Sequence, residues 1–159
     1  MKSPSFRNLA KETSNGVYHA FKWDVDLPDS LIYDLIEEAK ASDSRKARFC
    51  LHPDPSELLQ FTYIAFAAPY RDKIHCHPDR IEIIYPIFGS ALHSTFNSKT
   101  NLLKSTTLDS EQPVALATPF GNWHSLEVKS DYFVMLEIST GPFINSSTVY
   151  LDNKLKNYT

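Results

Sequence analysis

The chain has 159 residues, the usual size of one folded domain, so a single core is expected. Its composition is 42% hydrophobic and 22% charged, a balance that excludes a disordered chain. The formal net charge of -3 leaves no excess of Lys or Arg to neutralise a row of phosphates, so nucleic acid is not an expected partner.

The ends of the chain are expected to lie outside the domain. Residues 1–28 predict an N-terminal arm, because its first half is rich in Ser, Lys and Asn without periodicity. Residues 29–145 are expected to form the single domain, since no repeat or linker divides them. Residues 146–159 predict a C-terminal tail.

One amphipathic helix is predicted at the start of the domain. Asp29 or Ser30 can cap its first turn, and it is expected to end near Ser42, before a basic stretch and a proline-rich turn. The apolar positions that recur at helical spacing are Ile32, Leu35, Ile36 and Ala39.

The rest of the domain is predicted to be β-structure. Short apolar, β-branched and aromatic runs follow one another at close intervals, with no helix between them. Such a series indicates a sandwich or a barrel of the jelly-roll type. The seven predicted strands are 60–68, 80–88, 91–96, 101–108, 114–118, 123–128 and 132–138.

Membrane association and disulfides are not expected. Residues 1–16 are polar and carry no apolar core of a secretory signal, and no stretch of about 18 apolar residues occurs. We therefore expect a cytoplasmic protein without membrane contact. Cys50 and Cys76 are too few for a disulfide framework and do not form a Cys-x-x-Cys pair, so both are expected to be reduced.

A group of candidate metal ligands begins with two histidines. His75 and His77 are two residues apart, so on one strand both imidazoles point to the same face and Cys76 points to the other. Glu82 follows five residues later, and alternation along its strand places it on the inner face. A carboxylate inside a barrel is costly unless it is paired or bound to a metal.

The fourth candidate ligand is His124, which follows a turn made by Pro119 and Gly121. Three imidazoles and one carboxylate form a mixed nitrogen and oxygen set that suits a divalent transition metal. We expect one divalent metal ion, with Fe, Zn, Mn, Ni and also Cu left open. The expected ligands are His75, His77, Glu82 and His124.

These residues resemble the cupin motifs. His75-x-His77-x4-Glu82-x6-Gly89 is similar to the first motif, and Pro119-x-Gly121-x2-His124 is similar to the second. The resemblance implies a mainly β cupin double-stranded β-helix, a jelly-roll barrel, here preceded by one N-terminal α-helix. It also implies that the four ligands project into the barrel mouth and leave coordination positions open. The chain departs from the motifs at Pro69, Pro113 and Val128, none of which is a ligand.

A narrower resemblance is to the WbuC family of cupin-fold metalloproteins, which are typically encoded among genes for O-antigen and other surface polysaccharides. The likeness includes the helix that starts at Asp29, the stretch 45–53, the metal motifs and the closing stretch 141–143. Cys50 departs from it, because Asn is more usual there. The resemblance implies a fold, a metal and a setting in lipopolysaccharide biosynthesis, but no reaction.

Three further residues are candidates for substrate contact. Arg48 and His52 precede the barrel in a basic segment, with a solvated surface turn as the alternative. Trp123 adjoins a predicted ligand, with a place in the barrel core as the alternative. His19 and His93 have no motif around them and are expected to be ordinary surface or strand histidines.

Three functions remain open from the sequence, and enzymatic activity is itself undecided. The first is metal-assisted chemistry on a sugar or sugar nucleotide in O-antigen biosynthesis. The second is an Fe(II)-dependent small-molecule dioxygenase, and the third is a non-enzymatic, metal-stabilised module that binds a sugar or regulates assembly. The expected partner is a small molecule, and the cupin resemblance also implies pairing of two copies as a homodimer.

Overall fold

The computed structural model describes residues 6–143 and 148–151 and shows a mainly β protein. These residues form ten strands, one α-helix and one 3-10 turn. In chain order the elements are the 3-10 turn Phe6–Asn8, β1 Ala10–Ser14, β2 Val17–Ala20, α1 Leu31–Ala41, β3 Lys46–Cys50, β4 Leu59–Ala67, β5 His75–Cys76, β6 Glu82–Phe96, β7 Leu102–Asp109, β8 Leu116–Thr118, β9 Trp123–Thr140 and β10 Val149–Tyr150.

The predicted helix is confirmed as α1. It begins after Ser30 and ends at Ala41, where the backbone N–H of Ser42 donates to the carbonyl of Glu38 at 3.0 Å. It packs against β3 and β4. Among the described residues no helix is long and apolar enough to cross a membrane. The buried face of α1 consists of Leu31, Leu35, Ile36 and Ala39.

Part of the predicted N-terminal arm belongs to the folded body. β1 and β2 form an antiparallel pair, and β2 also pairs in parallel with β3. Phe6 is 1% exposed and lies edge-on to the rings of Tyr18 and Phe49. β1 is an edge strand in which only Ala10 is buried, so its sequence is polar and carries no alternating pattern.

The C-terminal tail is described only in part. Residues 148–151 lie against the sheet, where Val149 pairs with Cys76 and Tyr150 pairs with His75. Leu151 is 1% exposed. The remainder of the predicted tail lies outside the described residues.

The strands form one continuous sheet that stays open. Pairing runs from β1 through β2, β3 and β4 to β9, and then to β5 and β10. β6 pairs with β9 and also with β7 and β8. Within the described strands no ladder joins the two ends of this order, β1 and β10. The closed barrel that the sequence predicted is therefore not observed in the hydrogen-bonding pattern.

Two long strands, β6 and β9, connect the halves of this sheet. The sequence predicted each of them as two shorter strands, but each is continuous. Along their shared ladder the register shifts between Pro86 and Phe88 and again between Gly89 and Ala91. Such irregularities bend a strand and increase its twist. One half of β9 can therefore pair with β4 and the other half with β5.

The first irregularity also changes which positions of β6 face inward. Before it, the even positions Glu82, Ile84 and Pro86 are buried. After it, the odd positions Ala91 and His93 lie on the same inner side as Ile84, while Phe96 is buried in the separate cluster with Trp123. An extra residue shifts the two-residue alternation by one, so simple alternation from Glu82 would have placed His93 outside.

Replacing Phe6 by Ala tests whether the N-terminal segment contributes to stability. We expect the free energy of unfolding to fall by about 3–5 kcal/mol, because a fully buried phenyl ring is removed. Phe21 is 65% exposed, so Phe21→Ala is the matched control and should change stability by less than about 0.5 kcal/mol. Urea denaturation of the two variants measures this difference, and equal effects would contradict the packing of Phe6.

Two glycines with similar backbone angles allow the cost of a steric clash to be measured apart from the cost of backbone strain. Gly89 has a φ of +71°, and a Cβ there would meet the carbonyl oxygen of Tyr132 at 2.0 Å. Gly121 has a φ of +67° with open space around it. Gly121→Ala should cost about 1–2 kcal/mol in unfolding free energy from strain alone, whereas Gly89→Ala should cost about 1–3 kcal/mol more from overpacking. Urea denaturation would contradict this if the two variants were equally stable.

Candidate metal centre

A cavity of about 650 Å³ lies inside the bent sheet. Side chains from β2, β3, β4, β5, β6 and β9 line it, so both halves of the sheet contribute to its wall. The chain has six histidines, and all of them line this one cavity. They are His19, His52, His75, His77, His93 and His124.

Three of the four predicted ligands form a compact group of imidazoles. His75, His77 and His124 each offer a ring nitrogen, and these atoms lie within 4.8 Å of one another. The backbone explains the approach, because His75 on β5 stands directly opposite His124 on β9. Their ring centroids are 4.3 Å apart, and that of His77 lies 5.0 Å from His75.

Glu82, the fourth predicted ligand, lies against the same group. Its Oε1 is 3.1 Å from Nε2 of His77, and its Oε2 is 3.4 Å from Nε2 of His124. The side chain is only 6% exposed. Burial alone would raise the pKa of this carboxyl, but the hydrogen bond from His124 and the electrostatic attraction of His77, His124 and Arg80 outweigh it and bring the pKa to about 2. Glu82 is therefore an ionised carboxylate in a buried place.

Two of the imidazoles are oriented as metal-binding histidines usually are. Nδ1 of His75 lies 2.8 Å from the carbonyl of Lys73, and Nδ1 of His124 lies 2.8 Å from the carbonyl of Asn122. A carbonyl only accepts, so each Nδ1 carries a hydrogen and each Nε2 is left for another partner. This is the arrangement by which outer hydrogen bonds fix a ligand's tautomer. The donor set therefore fits a divalent transition metal.

His77 has a different outer partner, the buried guanidinium of Arg80. An Nη of Arg80 donates to Nδ1 of His77 at 2.8 Å, which leaves the ring hydrogen on Nε2, facing Glu82. To act as a ligand through Nε2, His77 must carry that hydrogen on Nδ1 instead. The hydroxyl of Thr148, 3.3 Å from Nδ1, is an acceptor for that hydrogen in this tautomer.

Arg80 also places a positive charge beside Glu82. From the sequence, a metal ion was expected to provide that charge. Its Nε lies 3.5 Å from Oε1 of Glu82, and the side chain is nearly fully buried. That Nε has no hydrogen-bond partner among the described residues. The guanidinium also lies 5.0 Å from the ring centroid of Phe143. Arg80 thus contacts two of the predicted ligands, and sequence analysis did not identify it.

His93 is a buried histidine beside this group, a position that sequence analysis did not predict. It lies on a strand as expected, but it is 3% exposed and not a surface residue. Its ring stacks on that of His124 with centroids 5.5 Å apart, and its Nε2 lies 3.3 Å from the hydroxyl of Thr118. His19, 6% exposed, is likewise buried. The change of alternation in β6 removed the sequence signal for His93.

The structure brings two of the three predicted substrate residues to the cavity. Arg48 on β3 and His52 both line it, and His52 is 2% exposed, so its place is not a solvated turn. Trp123 is buried in an apolar cluster with Cys76. Adjacent residues on a strand point to opposite faces of the sheet. Because His124 points into the cavity, Trp123 points away from it. The substrate contact predicted for Trp123 is thus not supported by its position.

Two further ionisable side chains, Lys46 on β3 and Glu137 on β9, also line the cavity, at separate places along it. Burial, with the charge of Arg48, lowers the pKa of Lys46 to about 8. Burial, with the charge of Glu82, raises the pKa of Glu137 to about 7. Neither residue was singled out from the sequence, where Lys46 is one member of a basic stretch.

Comparison with known proteins bears on the fold. No family model matches the sequence, and no curated protein matches it significantly. A solved structure of the capsular polysaccharide assembling protein CapF from Staphylococcus aureus is 13% identical, with a TM-score of 0.60 over 69% of this chain and 32% of that chain. Oxalate decarboxylase from Bacillus subtilis, in a study of its Mn(II) centres, is 22% identical, with a TM-score of 0.51 over 62% of this chain and 25% of that one.

A third structure, oxalate decarboxylase from Lactobacillus farciminis, gives 19% identity and a TM-score of 0.50 over 64% of this chain and 29% of that chain. The chain thus spans about a quarter to a third of the length of these proteins. At such low identity the likeness concerns the fold alone. These neighbours are cupin-fold proteins, and this chain shares the cupin fold.

Proposed function

We propose that this protein is a metal-binding cupin of the jelly-roll type that acts on a sugar or sugar nucleotide in the biosynthesis of a bacterial surface polysaccharide such as O-antigen. The observation that carries the proposal is the meeting of three imidazoles and an ionised carboxylate at the wall of one internal cavity. In this proposal one divalent ion is held by His75, His77, Glu82 and His124.

The proposed ligands have separate tasks. The carbonyls that accept from Nδ1 hold the rings of His75 and His124 in place, so an ion would bind at their Nε2 atoms and would displace the hydrogen that Nε2 of His124 donates to Glu82. Glu82 supplies the negative charge that balances part of the ion's charge. An ion in this place would act as a Lewis acid on an oxygen of the bound molecule. Arg80 compensates the charge of Glu82 when no ion is bound.

The cavity favours a polar, oxygen-rich small molecule. Its volume of about 650 Å³ lies within the range of small-molecule sites. Arg48 presents a planar guanidinium, which pairs with a carboxylate or a phosphate through two parallel hydrogen bonds. A sugar acid or the diphosphate of a sugar nucleotide offers such a group.

Glu137 is the proposed proton carrier of this site. Its carboxyl faces the cavity, and burial brings its pKa to about 7, where both protonation states are populated at neutral pH. The ammonium of Lys46 lines the same cavity. A proton can therefore be taken from, or returned to, a hydroxyl of the bound sugar.

The biosynthetic setting rests on two supports. The residues of the two motifs and of the stretch before β4 resemble the WbuC family, whose genes accompany those for surface polysaccharides. One structural neighbour is described as a capsular polysaccharide assembling protein. The same setting is therefore proposed for this chain.

Two other functions use the same donor set and are separated by experiment. Three imidazoles and one carboxylate also suit Fe(II), which would place the protein among small-molecule dioxygenases. A non-enzymatic module would bind the sugar at the cavity without changing it.

The ligand assignment predicts that His124→Ala loses most of the bound metal. Mn²⁺ is the appropriate probe, because it prefers oxygen and imidazole donors to thiolate, and its binding can be counted by titration calorimetry. The variant should also lose the thermal stabilisation that Mn²⁺ gives the parent, since a ligand that binds the folded state stabilises it.

His93→Ala is the matched control for this experiment. Its Nε2 is engaged with Thr118, so the variant should keep Mn²⁺ binding while losing some stability of the ion-free protein, because a buried ring is removed. If both variants kept the metal, or both lost it, the ligand assignment would be wrong.

The proposed substrate class predicts that metal-loaded protein binds nucleoside-diphosphate sugars. Arg48→Ala should weaken that binding by about tenfold to a hundredfold, since a charge-assisted hydrogen bond contributes about 1.5–3 kcal/mol. Arg7→Ala is the control, because Arg7 pairs with Glu38 on the helix and should leave affinity unchanged. Calorimetry with a panel of such sugars measures the affinities, and nuclear magnetic resonance follows conversion.

The outcomes of this panel are distinct. Conversion of a sugar that slows in Glu137→Gln supports the proposal. Binding without conversion would favour the binding module, and oxygen consumption by the Fe(II)-loaded protein would favour a dioxygenase. Absence of any binding to the whole panel would refute the proposed substrate class.

A further inference from the structure

A second group of metal-type donors lies elsewhere on the cavity wall. His19, Cys50 and His52 each offer one donor atom, and these atoms lie within 4.8 Å of one another. All three residues are buried, being 6%, 4% and 2% exposed in that order. All three also line the cavity. None of them belongs to the group around Glu82.

The fold brings these residues together through a parallel pair of strands. β2 and β3 run side by side, and His19 stands directly opposite Cys50 in their register. His52 follows Cys50 by two residues, just after β3 ends. The rings of His19 and His52 meet edge-on, with centroids 5.0 Å apart.

Backbone groups contact Nδ1 of both imidazoles. Nδ1 of His19 lies 3.0 Å from the carbonyl of His52, so it carries a hydrogen and leaves Nε2 with a lone pair. Nδ1 of His52 lies 3.2 Å both from the backbone N–H of Phe61, from which it can accept, and from the carbonyl of Phe61, to which it can donate. An ion at Nε2 of His52 requires the tautomer in which Nδ1 donates to the carbonyl, the arrangement that His19 already has.

The sulfur of Cys50 lies beside a hydroxyl group. The hydroxyl of Thr62 donates to Sγ at 3.7 Å. Burial raises the pKa of this thiol to about 11, and the hydrogen bond from Thr62 only partly opposes that shift, so an ion that binds the sulfur must displace its proton. Cys76, the other cysteine, is packed in an apolar cluster with Trp123 and is not among the residues that line the cavity.

We propose that His19, Cys50 and His52 form a second metal site, separate from the one around Glu82, that takes a thiophilic ion such as Zn²⁺. Two imidazoles and one thiolate are softer donors than three imidazoles and a carboxylate, so the two sites select different ions. With three protein ligands the ion keeps one open position, and that position faces the cavity because all three residues line it. The cavity then holds two metals of different chemical type.

The test is titration of chelator-treated protein with Co²⁺, a spectroscopic substitute for Zn²⁺. A thiolate bound to Co²⁺ gives a charge-transfer absorption in the near ultraviolet, which imidazole and carboxylate ligands do not. The parent protein should bind two equivalents of Co²⁺ and develop this band. Cys50→Ser should lose one equivalent and the whole band, whereas the matched control Cys76→Ser should keep both.

The test of this second site does not depend on the proposed function. His124→Ala should lose one equivalent of Co²⁺ but retain the thiolate band, so failure of either site can be recognised without the other. His19→Asn, which leaves Cys50 in place, should also lose the band. A parent protein without the band, or equal bands in Cys50→Ser and Cys76→Ser, would overturn the second site.

Discussion

The buried charge of Glu82 is the constraint around which the cavity is arranged. An ionised carboxylate that is almost removed from water is costly unless positive or hydrogen-bonding partners surround it. Two imidazoles and the guanidinium of Arg80 meet this need from three different parts of the chain. The short strand β5, the start of β6 and the start of β9 must therefore be held together, and the hydrogen bonds of the sheet hold them. The same partners make the place suitable for an ion, because an ion can take over the charge balance from Arg80.

The bends of the two long strands make the cavity possible. A flat sheet would have placed β4 and β5 far apart, whereas a bent β9 pairs with both of them. Gly89 lies at the bend because its positive φ and the close carbonyl of Tyr132 leave no room for a side chain. The bend also exchanges the inward and outward positions of β6, which turns His93 onto the ring of His124. Local backbone geometry thus determines which side chains reach the site.

The cavity wall combines three kinds of chemistry. One region carries imidazoles with a carboxylate, and another carries imidazoles with a thiol. Lys46 and Glu137 also line the cavity, with pKa values moved toward neutrality by burial. Hard and soft donor groups in one cavity allow different ions to be sorted by ligand type and not by affinity alone. A molecule bound there would contact groups that attract oxygen, groups that exchange protons and a guanidinium that recognises anions.

The sequence by itself determined the helix and the nitrogen and oxygen donor set. The period of α1 and the spacings of His75, His77, Glu82 and His124 are local patterns, and the structure brings those four residues together. Alternation along a strand likewise predicted the outward place of Cys76. Only the tertiary structure decided that Arg80 faces Glu82, that His93 is buried and that His19 lies beside Cys50. A pattern within one segment indicates the face of the strand on which a side chain lies. Strand pairing and bulges decide which faces of different strands come together, and pairing and bulges depend on residues far apart in the chain.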